Sequence, residues 1–184
     1  MMKALIIIDY TNDFVSDNGP LTCGEPGQKL ENKIVQWIEE ERENGSEIIF
    51  AVDYHKPDHT THPEHDLFPS HNIEGTPGRK LYGKVNDVFT GIRSETNVTW
   101  MDKTRYSAFA GTPLDIFLRE KGIGEIVLTG VCTDICVLHT AVDAYNKGYH
   151  LTIPRQAVAS FDAGGHEWAL SHFKNTLGAN IVGR

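Results

Sequence analysis

The chain has little cysteine: Cys23, Cys132 and Cys136 are the only three in 184 residues. So small and odd a number excludes the disulfide framework of small secreted domains. It points to reduced thiols and a cytoplasmic location. Cys132 and Cys136 are four apart, which fits neither a C-x-x-C redox pair nor a zinc-finger knuckle. Positive charge is also scarce. Seventeen lysines and arginines face 25 acids, for a formal net charge of -8. That excludes a non-specific nucleic-acid surface, which needs clustered Lys and Arg. No apolar run reaches the roughly 18–20 residues of a membrane span. The apolar start, residues 1–10, lacks a signal peptide's length and small-residue cleavage site. Repeats, low-complexity tracts and linkers are missing too, so one domain over 1–184 is expected. The composition leaves a homo-oligomer open.

What is present is a series of short apolar runs. Residues 3–9 (KALIIID) form a continuous run closed by an acid, the pattern of a parallel strand buried on both faces. Residues 47–53 (EIIFAVD) repeat that pattern. Between them Leu30, Ile34, Trp37 and Ile38 have helical spacing, which predicts a helix over 30–43 stopped at Gly45. Further strands are expected over 96–100, 125–129, 149–153 and 179–182. Helices are expected over 113–121, with Thr112 as N-cap and Pro113 first, and over 134–146 and 166–177. Residues 54–86, rich in His, Pro and Gly, read as a long loop, and long loops in compact domains carry function. Alternation at this spacing gives a Rossmann-like, three-layer α/β/α fold around a mostly parallel sheet. Such sheets bind ligands at the carboxyl ends of their strands. Asp9, Asp53 and the loop before Cys136 all fall there.

Residues 124–136 (GEIVLTGVCTDIC) read as a buried strand, a glycine turn and a helix start. Near that start, the helix dipole and unpaired N–H groups favour Cys136 as a thiolate. A thiolate so placed can attack a carbonyl covalently. It needs a base, and Asp9, partly desolvated at a strand end, is the candidate. Lys103, after the 96–100 strand, stands at a third strand end and would stabilise both anions. Each of these residues alone is more often a packing, turn or surface residue. Their shared rim is what points to catalysis.

Asp53-Tyr54-His55 places a carboxylate and an imidazole at i and i+2 as a strand leaves the sheet. Five histidines follow one another in this region: His55, His59, His62, His65 and His71. Carboxylate with imidazole suits zinc, iron or manganese. His59, His62 and His65 fit a solvated polar loop better than a metal shell. Few protein ligands would leave coordination positions open for substrate or water.

Together these segments resemble the nicotinamidase branch of the isochorismatase-like cysteine hydrolases over essentially the whole chain. The matching motifs are residues 9–14 (DYTNDF), Asp53-Tyr54-His55, His71 with residues 75–78 (GTPG), residues 103–109 (KTRYSAF) and residues 130–136 (GVCTDIC). The resemblance implies a triad of Asp9, Lys103 and Cys136. It implies one divalent metal, zinc first with iron or manganese as alternatives, on Asp53, His55 and His71. A more variable fourth ligand is expected at Glu64, with His62 and His65 as rivals. A non-proline cis peptide between Val131 and Cys132 is also implied, aiming the N–H groups of Cys132 and Cys136 at one oxyanion. Phe14, Phe68 and Tyr106 would pack on the substrate ring. The implied reaction is hydrolysis of nicotinamide to nicotinate and ammonia through a thioester, a step of NAD salvage. The rival is a related carbamoyl or amide hydrolase acting on another small carboxamide. Three positions depart from the pattern: Thr11 replaces a common Gln, and Phe68 and Asn72 replace the usual Trp and Cys. Phe68 keeps an aromatic wall but lacks an indole N–H.

Overall fold

The computed structural model describes residues 2–58 and 60–183. The chain runs β1 (Met2–Ile8), α1 (Asn12–Val15), α2 (Glu25–Gln28), α3 (Glu31–Glu43), β2 (Glu47–Asp53), a 3₁₀ turn (Pro77–Arg79), α4 (Gly83–Ile92), β3 (Val98–Lys103), α5 (Leu114–Glu120) and β4 (Ile123–Val131). A π-helical turn (Thr133–Val137) follows, then α6 (Leu138–Asn146), β5 (His150–Pro154), a 3₁₀ turn (Arg155–Ala157), β6 (Val158–Ala159), α7 (Ala163–Asn175) and β7 (Asn180–Val182). The sheet order is β3-β2-β1-β4-β5-β7, with β6 beside the end of β4, and every pairing of these strands is parallel.

The apolar runs explain the layers. In β1, Ala4, Ile6 and Ile8 enter one buried cluster while Leu5 and Ile7 enter the other. The strand is therefore covered on both faces, as a continuous run requires. Each fully buried Ile contributes roughly 1.5–3 kcal/mol, so register is firmly set. Strand order reverses between β1 and β4, which makes their carboxyl ends the switch point where a cleft opens. Among the described residues no helix is long and apolar enough to cross a membrane.

Several boundaries differ from the sequence expectation. The 96–100 strand runs from Val98 to Lys103, because the Lys103 charge finds partners inside the protein and needs no exit to solvent. The loop over 54–86 ends early: α4 begins at Gly83, whose positive φ of 50° and the second glycine Gly91 mask a helical face of Val85, Phe89 and Ile92. The helix expected over 113–121 begins at Leu114, with Pro113 as the capping residue. Thr112 still serves the terminus, its Oγ1 accepting the Leu114 N–H at 3.2 Å. The 166–177 helix starts at Ala163, capped by the Asp162 carboxylate on the Gly164 N–H at 2.9 Å. The 134–146 helix opens with the π turn.

Candidate active site

Three strand ends deliver the polar centre. Asp9 directly follows β1 with a left-handed φ of 53°, a conformation unusual for a non-glycine residue. Its N–H donates to the Ala51 carbonyl at 3.0 Å and its Oδ1 accepts the Asp53 N–H at 2.8 Å. The β1 turn is thereby tied to the end of β2. Lys103 ends β3 in register with Asp53. Its ammonium lies 2.7 Å from Asp9 Oδ2, 3.7 Å from Asp53 Oδ1 and 3.8 Å from Cys136 Sγ, and donates to the Arg105 carbonyl at 3.1 Å. The Asp9 contact is short but off the angle of a good hydrogen bond, so its attraction is mainly Coulombic. Asp9, Lys103 and Cys136 are all buried.

Cys136 arrives on the π turn after β4. The Cys132 carbonyl accepts from both Ile135 N–H and Val137 N–H at 3.1 Å, which holds the turn tight. Gly130 precedes it at φ 108°, where a Cβ would stand 2.0 Å from the Ile8 carbonyl oxygen; only glycine lets β4 pass β1 there. The Val131–Cys132 peptide is cis, as the resemblance implied.

Burial governs the charges. Desolvation raises Asp9 to about 6, with Lys103 pulling it down and Asp53 pushing it up. Burial opposes the charge of Asp53 too, but Lys103 and the His55 and His71 imidazoles beside it hold it well below the usual carboxylate range. Burial pushes the Cys136 thiol well up despite the neighbouring Lys103. This runs against the expectation of a dipole-stabilised thiolate: in so enclosed a site desolvation, joined by the charges of Asp9 and Asp53, outweighs the pull of Lys103.

Asp53, His55, Glu64 and His71 are buried, and each offers a ligand atom within 4.8 Å of the others. His55 Nε2 lies 2.8 Å from Asp53 Oδ2, and His71 Nε2 lies 3.2 Å from Asp53 Oδ2 and 3.4 Å from Glu64 Oε2. His71 Nδ1–H donates to the Pro69 carbonyl at 2.8 Å. That contact turns the Nε2 lone pair inward, where it has no well-aligned hydrogen-bond partner. Desolvation disfavours the His71 cation, yet Asp53 and Glu64 raise its pKa to about 10. Two carboxylates, two imidazoles and a field that draws in positive charge fit a divalent cation.

The other histidines divide. His62 is buried, which corrects its reading as a solvated loop residue. Its Nδ1 accepts the Glu64 N–H at 3.2 Å, so Nε2–H donates to the Thr104 carbonyl at 2.7 Å. One nitrogen thus holds the Glu64 backbone and the other meets the Thr104 carbonyl and the Arg105 guanidinium. His65 is exposed, and His59 lies outside the described residues. Asp13 steadies His71 from behind: its Oδ2 accepts the Asn72 N–H at 2.7 Å. A Cβ at Gly78 would sit 2.1 Å from Asp13 Oδ1, which explains the glycine in that motif. Asn72, with a positive φ of 44°, is fully buried.

These groups open into one cleft. Cys132, Cys136, Asp53, Glu64 and His71 line it together with Phe14, Phe68 and Tyr106. The Phe14 ring centroid stands 5.3 Å from that of His71 and the Phe68 centroid 6.4 Å away. Leu21, Ile135 and Phe161 also line the cleft and escaped the sequence reading. Ile135 lies inside a quoted motif and could have been found by its place there. Leu21 and Phe161 sit in loops whose route only the fold reveals.

A family model described as the Isochorismatase domain matches residues 3–183. The chain is 58% identical to the isochorismatase family protein PncA of Bacillus subtilis over 182 residues, covering 99% of this chain and 100% of that protein. Its fold superposes on the crystal structure of the nicotinamidase/pyrazinamidase PncA from Bacillus subtilis with a TM-score of 0.98 at 57% identity, over 100% of both chains. The pyrazinamidase of Pyrococcus horikoshii, solved in complex with zinc, superposes with a TM-score of 0.87 at 28% identity, again over 100% of both.

Proposed function

The chain belongs to the isochorismatase family, and we propose that it is a metal-assisted cysteine amidohydrolase that converts nicotinamide to nicotinate and ammonia. One observation carries this reading. Cys136 and three of the four clustered metal-type ligands face the same aromatic-lined cleft, so one flat carboxamide can meet both. The high identity to a nicotinamidase of known structure supports the choice of substrate. Reduced, buried cysteines support a cytoplasmic setting.

Asp53, His55, Glu64 and His71 would hold the cation, which we take to be zinc. A bound divalent cation supplies a Lewis-acid anchor for the pyridine nitrogen. Phe14, Phe68 and Tyr106 clamp the ring and exclude water. Asp9 accepts the Cys136 thiol proton, and Lys103 stabilises the charge on either partner. Asp9, at about 6, is ionised at neutral pH yet basic enough to take that proton. Cys136 Sγ then attacks the amide carbon, and the N–H groups of Cys132 and Cys136 receive the oxyanion. Asp9 returns the proton to departing ammonia. It next deprotonates a water that attacks the thioester, and passes that proton to the Cys136 sulfur as the C–S bond breaks.

The test is ammonia release from nicotinamide by the purified protein, with and without a strong chelator. Release that the chelator abolishes is expected. Release indifferent to the chelator would demote the metal. Inertness of the metal-loaded protein toward nicotinamide, with turnover of an acyclic carbamoyl compound, would move the activity to the carbamoyl hydrolases.

His71→Ala is expected to leave the fold intact and to strip the cation. Metal retention against a competing chelator should fall by more than the roughly 10–100-fold that a lost supporting contact costs. The KM for nicotinamide should rise with it. Unchanged metal content would remove His71 from the site.

A further inference from the structure

We propose that Cys23 and Cys132 form a reversible oxidation site, closed to a disulfide by a small peroxide that enters through the substrate cleft. The two residues lie 109 positions apart, yet their sulfurs approach to 3.2 Å, both buried. A disulfide needs about 2.05 Å, so the sulfurs must close by little more than an ångström. Cys23 is anchored by its N–H on the Phe14 carbonyl at 2.8 Å. Cys132 lines the cleft beside Cys136, which gives hydrogen peroxide a route to the pair. Neither sulfur is used in amide hydrolysis, where Cys132 contributes only its N–H.

The chemistry balances without further reagents. The Cys132 sulfur attacks one peroxide oxygen and breaks the O–O bond. The departing hydroxide takes the thiol proton and leaves as water, with Cys132 as the sulfenic acid. Cys23 then attacks that sulfur and expels the hydroxyl, which takes the Cys23 proton as a second water. Two thiols lose two electrons and one peroxide gains them. The hydrogen bond that the Cys132 thiol donates to the Cys23 sulfur, together with burial, holds that thiol well above its ordinary value. The first step is therefore slower than at an exposed low-pKa cysteine and speeds up with rising pH.

Closing the bond draws Cys132 toward Cys23 and pulls its N–H away from the oxyanion position. This functional consequence rests on the proposed hydrolase reading; the bond itself does not. In the test, metal-loaded protein is treated with hydrogen peroxide and followed by intact mass, peptide mapping and ammonia release. The expected result is a loss of about 2 Da and a linked Cys23–Cys132 peptide. Turnover should fall on the order of a hundredfold, with recovery on adding dithiothreitol. Cys23→Ser, checked for an unchanged melting temperature, should show no such mass loss and no thiol-reversible inactivation. The wild-type mass measurement stands without that variant. Oxygen addition in place of a linked peptide, or a disulfide involving Cys136, would overturn the proposal. A linked Cys23–Cys132 peptide with no activity toward nicotinamide in the untreated protein would uphold the site and sink the substrate assignment instead.

Discussion

Cys136→Ala is expected to reduce ammonia release on the order of ten-thousandfold or more while nicotinamide and the metal still bind. A missing nucleophile removes the covalent route entirely, leaving only the oxyanion donors and binding to favour attack by water. The fold should tolerate the change. The thiol is small and sits within an apolar cluster, so its loss costs about 1 kcal/mol. Lys103 keeps its 2.7 Å partner Asp9 and its Arg105 carbonyl, so no charge is stranded. Asp53, His55, Glu64 and His71 are untouched, which separates this variant from His71→Ala. Three measurements decide the matter: turnover, nicotinamide affinity by calorimetry and metal content. Residual turnover within about tenfold of the wild type would end the thioester mechanism. So would failure of intact-mass analysis to trap an acyl adduct in rapidly quenched wild-type protein, if deacylation is shown to be the slower step.

Much of this was legible in the sequence because the sheet announces itself. Two buried runs ending in acids put Asp9 and Asp53 at strand ends, and alternation with helices made the sheet parallel. The rim then followed from topology. Asp53 and His55 could be read as a candidate pair, since two residues on one strand end share a side and a His-rich stretch follows; the family likeness gave them a metal. Glu64 was harder. It lies in irregular chain, and its choice over His62 and His65 came from family likeness. The structure supplies the physical reason: His62 spends one nitrogen on the Glu64 N–H and the other on Thr104. The ionisation of Cys136 was misread because sequence reveals proximity to a helix start but not the depth of burial that opposes it. Helix α4 was hidden by its two glycines, whose low propensity is overridden by packing of Val85 and Ile92. The meeting of Cys23 with Cys132 had no sequence signal at all. It depends on how a loop after α1 folds back over the end of β4.

Lys103→Met should cost both catalysis and stability, through one charge. The ammonium is buried among Asp9, Asp53 and Cys136, and methionine replaces its stem without its charge. Breaking a buried ion pair from one side costs about 3–5 kcal/mol, since the remaining carboxylates lose compensation. The pH dependence gives the sharper test. In the wild type, burial raises Asp9 to about 6 while Lys103 restrains the rise. Without Lys103 the Asp9 pKa climbs further. At neutral pH the carboxyl is then protonated and cannot take the Cys136 proton. The acid limb of kcat/KM should therefore move to higher pH, and turnover near pH 7 should fall by at least about a hundredfold. A cation beside Asp53 lowers Asp9 in both proteins, so the profiles are compared at equal metal content. Stability follows the same sign. Protonation relieves the stranded Asp9 charge, so the loss in Tm should be greatest in alkaline solution. It should shrink as pH falls and level off only below about 6, where Asp9 takes up a proton in the wild type as well. Lys103→Arg should recover stability before activity. It restores a cation, but its planar fork does not reproduce a point charge 2.7 Å from Asp9 and 3.8 Å from the sulfur. A Tm loss that is flat with pH, together with an unmoved acid limb, would show that Lys103 does not govern Asp9, and the base would have to be sought elsewhere.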